Sequence, residues 1–155
     1  TPEKFDSIAA EQFEQLKTLV AEGRWVIAEL PGNKKYRLLY GNDSLIADNQ
    51  DTIKHLMRLE SIAHTDQPRG LRLAAANREA WLDIDEETLY QHQTDLEVRL
   101  SEARRTLSNL QVRLDNPTYV EKAPAYLVEE TRQQLAEQEK LIQRLIGELE
   151  VISSR

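Results

Sequence analysis

Two hydrophobic periods run along this chain, and the place where one gives way to the other divides it. Phe13, Leu16, Val20, Gly23, Ile27 and Leu30 recur at steps of three and four, the spacing that gathers side chains on one stripe of an α-helix. Pro31-Gly32 ends that helix,. In KYRLLY, residues 35–40, the alternation of Tyr36, Leu38 and Tyr40 predicts a strand with those three on one face, and the GND that follows predicts a turn,. A short helix is expected from Asp51 to Arg58, with Ile53, Leu56 and Met57 on one face and Asp51 as its cap,. ESIAH reads as a further strand, and RGLRLAAANREAWLDI as two short strands joined at Asn77-Arg78. Together these make a small α+β unit with a three- or four-stranded sheet, residues 1–85.

From residue 86 the period changes to a heptad. Leu89, Leu96, Leu100, Ala103, Leu107, Leu110 and Leu114 follow four-three spacing, with Gln93 in the one polar slot,. Val128, Thr131, Leu135, Gln138, Ile142, Leu145, Leu149 and Ile152 resume it beyond NPTYVEKAPAY, residues 116–126. Folded back at that segment, the stripes pair at a constant register: Leu114 with Val128, Leu107 with Leu135, Leu100 with Ile142, Leu96 with Leu145, Leu89 with Ile152. Pro117 lacks the N–H that a helix interior needs, and Pro124 suits the first turn of a new helix. The expectation is an α+β chain: a small helix/sheet unit, then a long antiparallel two-helix coiled-coil hairpin over 86–155, reaching on the order of 40 Å at about 1.5 Å per residue.

Composition narrows the function. The formal net charge is −7 with 30% charged residues, so generic attraction to phosphate or anionic lipid is not expected, and any nucleic-acid contact must come from local basic groups. No apolar run approaches the roughly 20 residues of a membrane helix, so no membrane partner is expected. The absence of cysteine excludes disulfides and thiolate chemistry and fits a reducing, cytoplasmic setting. The chain opens at Thr1 without methionine, as an internal or processed piece would.

The candidate chemistry is thin. The acidic run DIDEE, residues 83–87, is explained by helix-start electrostatics, with Asp83 or Asp85 as cap, and no metal site is expected there,. His55, His64 and His92 stand singly and read as surface residues,. Lys34, Lys35 and Arg37 form a basic cluster that also reads as a guarded sheet edge. Trp25 and Trp81 read as packing residues. Arg99, Arg104, Arg105, Arg113, Lys122, Arg132, Lys140 and Arg144 decorate the heptad helices. By themselves they describe a solvated coiled-coil flank, with pairs such as Arg144 and Glu148. No paired catalytic constellation is present, so no enzymatic activity is expected of this piece.

RLESI (58–62), the sheet segment ending WLDID, YVEKAP (119–124) and VEETRQQLAEQEKL between heptad helices, preceded by PGNKK, are similar to the C-terminal region of valyl-tRNA synthetases. The resemblance covers most of the chain, from about Glu11 to Ile152, and its most specific part is the aromatic-Val-x-Lys-Ala-Pro run at Tyr119 to Pro124. It implies an arm contacting the outer corner of tRNA, where the D and T loops meet. It also implies a monomer, joined to the catalytic and anticodon-binding domains of the same parent chain, in which ATP would be used. Neither ATP-binding signature of class I synthetases, the HIGH or the KMSKS type, occurs here, so no cofactor is expected in this piece. Where the family's first helix carries a basic repeat, this chain has Arg24 alone. Under the resemblance Arg105, Arg113, Lys122 and Arg132, toward the loop end or middle of the arm, become the tRNA-binding residues; Lys4, Lys17 and Lys54 elsewhere carry no such expectation. The alternative is a protein- or ribosome-interaction module similar to the C-terminal hairpin of translation-associated ABC-type ATPases.

Overall fold

The computed structural model describes residues 2–154, the side chains of residues 2–8 and of Ala75 excepted. It comprises two compact units, one up to His92 and one from Gln93.

The first unit begins with α1 (Pro2–Glu29). Its buried stripe is Leu19, Val20, Gly23, Val26 and Leu30, whereas Phe13 is 59% exposed. The expected stripe was therefore right in period but rotated, because Leu19 and Val26, not Phe13, face the packed neighbours. Gly23 is needed here: a Cβ in its place would overlap the end of the Met57 side chain, which lies against α1,. Strand β1 (Arg37–Tyr40) is central in the four-stranded sheet, whose order is β2-β1-β4-β3. Leu38, Leu39 and Tyr40 are all buried, so the alternation read from Tyr36, Leu38 and Tyr40 describes only one of two covered faces.

Between β1 and β2 (Ser61–His64) lie two helices, α2 (Ser44–Asp48) and α3 (Gln50–Met57). β1 and β2 pair in parallel, Leu38 opposite Ile62, an arrangement that demands such a crossover. The sequence reading missed α2, taking GND for a turn alone. Asp43 instead caps a helix, its side chain accepting from the Ile46 amide at 3.1 Å, and five residues are too few to display a period. α3 starts after Asn49, without a side-chain cap, so Asp51 lies in its first turn and is not the cap; Leu56 is exposed at 42%.

The sheet is completed by β3 (Leu71–Arg72) and β4 (Ala80–Asp83), antiparallel across a 3-10 turn, Ala74–Ala76, that ends at left-handed Asn77. β4 also pairs antiparallel with β1, Leu38 opposite Leu82. Gly70 enters β3 at φ +86, and a Cβ there would fall on the Leu82 carbonyl oxygen, so only glycine lets the two backbones approach. Asp43 and Arg78 lock the loops at one end of the sheet with hydrogen bonds of 2.7 and 2.9 Å. Because β1 is interior, the Lys34–Arg37 cluster does not guard an edge; Arg37 Nε donates to Ser61 Oγ of the neighbouring strand at 3.1 Å.

The change of period at residue 86 is the start of α4 (Glu86–Leu114). Asp85 caps it, accepting from the Thr88 amide at 3.1 Å and hydroxyl at 2.7 Å, and these bonds hold its carboxyl below the usual range,. Trp25, at 40% exposure, is not a core residue; Trp81 is half-buried. His92 is only 2% exposed and overturns the surface reading: it stands three residues after Leu89 and four before Leu96, taking the slot assigned to Gln93.

In the second unit, Leu96, Leu100, Ala103 and Leu110 of α4 are buried. So are Val128, Thr131, Ile142, Leu145 and Ile152 of α6 (Ala125–Ser153). Both heptad stripes thus lie under cover. The prolyl segment between these helices is itself largely helical: α5 (Pro117–Lys122) is capped by Asn116, whose side chain accepts from the Thr118 amide at 3.1 Å. Pro117 fits because it opens the helix, where its missing N–H costs nothing. Pro124 is the N-cap of α6, one position before the first turn.

Candidate nucleic-acid interface

The region where α4, α5 and α6 meet is built around Tyr119. This residue lies in the first turns of α5, and its hydroxyl sits 2.9 Å from Thr131 Oγ1 on α6. Thr131 in turn donates to the Leu127 carbonyl at 2.9 Å. Thr131 occupies a heptad position and is 3% exposed, so its hydroxyl needs these partners to be tolerated there. On the other side of the ring, the Arg113 guanidinium of the last turn of α4 stands 5.9 Å from the Tyr119 centroid, within cation–π range. One aromatic residue therefore ties three helices together, and holds an arginine at the surface with its polar edge available.

Of the four cations chosen from the sequence, Arg113 is the one this tip organises. Lys122 is exposed in the last turn of α5, Arg132 is exposed on α6 immediately after the buried Thr131, and Arg105 is exposed mid-way along α4. None of the four is in an ion pair among the described residues. Arg144 differs: it pairs with Glu148 at 3.4 Å, as its spacing predicts. Tyr119 and Thr131 were not singled out as tip-building residues. The aromatic run around Tyr119 was visible, but the hydroxyl contact depends on α5, which periodicity could not reveal.

Leu100 and Arg104 line an open cleft of about 510 Å³ together with Ile146, Leu149, Glu150, Ser153 and Ser154, and α5 packs on the beginning of α6 around Thr131. Among the described residues, no group of three or more His, Cys, Asp or Glu side chains is placed to hold a metal, and no helix is long and apolar enough to cross a membrane.

Residues 83–153 match the family described as valyl tRNA synthetase tRNA binding arm. The match starts at the end of β4 and runs through α4, α5 and all of α6. This segment is similar to the tRNA-binding arm of valyl-tRNA synthetases. Beyond the arm, the chain is 30% identical over 128 residues to the valine–tRNA ligase of Petrotoga mobilis (strain DSM 10674 / SJ95), an alignment covering 77% of this chain. That length also takes in much of the α/β unit, as the similarity at RLESI and PGNKK had implied. The chain corresponds to 14% of the length of that ligase.

Proposed function

We propose that the chain is the C-terminal tRNA-binding appendage of a valine–tRNA ligase, a piece that positions tRNA without performing chemistry. The supporting observation is the coincidence of the family match with two 29-residue helices that carry exposed arginines and lysines. Under this reading α4 and α6 form an antiparallel coiled-coil hairpin, in the register that puts Leu100 beside Leu149. Each helix reaches about 43 Å at 1.5 Å per residue, long enough to carry the Tyr119 tip away from a catalytic body. The tip would meet the corner of tRNA where the D and T loops join. There Arg105, Arg113, Lys122 and Arg132 would contact phosphates or splayed bases, guanidinium groups being suited to both. Valine activation with ATP would belong to the catalytic domain of a parent chain, with this piece acting as one of its domains. The ATPase-type interaction module finds no support in the matches.

The test is a salt titration of tRNA binding by the whole chain. Phosphate contacts release counterions, so affinity should fall steeply with salt. Changing Arg105, Arg113, Lys122 and Arg132 to Gln should lower both affinity and slope. A control changing Lys17, Arg37, Arg69 and Arg72, all exposed on the first unit, removes the same charge. Equal losses from both sets would mean diffuse attraction and defeat the arm-borne site.

A further inference from the structure

The first unit concentrates positive charge that is scattered along the sequence. Arg24 of α1, Lys35 of the segment entering β1, and Lys54 and Arg58 of the α3 end line one open cleft of about 530 Å³, together with His55 and a single carboxylate, Asp51. These residues are scattered over 35 positions from 24 to 58 and come together only because α1 packs on α3. Four cations against one carboxylate is a local excess in a chain whose net charge is −7. None of the four is in an ion pair among the described residues. Like charges gathered in a concavity repel one another unless an anion neutralises them.

Arg58 adds an independent observation. It is the residue that ends α3, in the left-handed conformation at φ 55, ψ 49. Glycine or asparagine is the ordinary occupant of such a position, because a Cβ there is strained. An arginine at this point carries the backbone strain while its side chain lines the cleft, so its presence is better explained by the guanidinium than by the turn.

We infer that this cleft is a second phosphate site, taking the sugar-phosphate backbone of RNA at a place separate from the arm. The ligand class follows from the donors. They are side chains on long flexible stems in an open cleft, with no glycine-rich loop of backbone amides to enclose a small nucleotide. Such groups position a polyanion and read no sequence. Leu56, 42% exposed in the lining, offers an apolar surface to a ribose. The identification of the RNA as tRNA rests on the function proposed above; the cleft itself does not. Lys54, which carried no expectation from the sequence, belongs to this site.

The experiment uses the full chain and a tRNA transcript, with affinity measured against salt for two cleft variants and the arm variant. The triple change Arg24→Gln, Lys35→Gln, Lys54→Gln should weaken binding about tenfold or more and flatten the salt dependence by up to about 0.9 per lost phosphate contact. Arg58→Gly should weaken binding severalfold while raising the midpoint of thermal unfolding, because glycine relieves the left-handed strain. That pair of opposite changes separates loss of a ligand contact from loss of fold. Wild-type affinity and slope in both cleft variants, with loss in the arm variant, would overturn the cleft and leave the arm intact. Loss in the cleft variants with none in the arm variant would support the cleft and overturn the arm-borne site. Losses in the triple variant matched by the Lys17, Arg37, Arg69 and Arg72 control would reduce it to net charge and overturn it. Binding of poly-glutamate at least as tight as tRNA, abolished by the triple change, would point to an acidic protein and also overturn it.

Discussion

Replacing Arg78 by Gln should destabilise the protein by about 3 kcal/mol at neutral pH. The Asp43 side chain is 6% exposed and that of Arg78 20%, so the pair is largely withdrawn from water. Removing one partner of a buried ion pair costs roughly 3–5 kcal/mol, because the remaining charge is stranded. Asp43 would keep the Ile46 amide, and the shorter glutamine would admit some water, which places the loss at the low end. With a urea dependence of about 1–3 kcal/mol per molar, the midpoint should fall by about 1–3 M, readable from Trp81 emission on β4. The effect has a pH signature. Burial raises the Asp43 carboxyl, but its hydrogen bonds to Arg78 and to backbone amides outweigh burial and hold it below its ordinary 3.8. A carboxyl depressed on folding contributes stability that is present above its unfolded value and lost as pH falls through the folded one. The gap between wild type and variant should therefore be full at pH 7 and close below about pH 3.8. A gap under 1 kcal/mol at pH 7, or one that stays constant down to pH 3, would refute the reasoning.

Gly70→Ala should cost about 1–3 kcal/mol from the left-handed backbone alone. The overlap with the Leu82 carbonyl should add to that by forcing β3 from β4, so a loss under 1 kcal/mol in urea unfolding would show that Gly70 is dispensable. For the arm register, the chain is free of cysteine, which makes crosslinking clean. Leu100→Cys with Leu149→Cys should oxidise to an intramolecular disulfide, whereas Leu100→Cys with Ile142→Cys should not, and the reverse result would restore the simpler hairpin.

The sequence by itself determined the helical heptad stripes, the strands at KYRLLY, ESIAH and around Asn77, a helix cap at Asp83 or Asp85 and the family resemblance. Each of these is written in neighbouring positions, where side-chain period and turn chemistry act over one or two turns of chain. Heptad spacing also repeats every seven residues, so it is satisfied equally well when one helix slides by seven, and nothing local selects between the two registers. The proposed register, with Leu100 beside Leu149, rests on α5, whose Tyr119 contacts Thr131 at the start of α6. Tertiary packing likewise decided which stripe of α1 is covered, that β1 is interior and not an edge, and that His92 is buried. It also made the cleft of Arg24, Lys35, Lys54 and Arg58, for a simple physical reason: charge has no period along a chain, so cations that are far apart in sequence become one site only when the backbone brings them together.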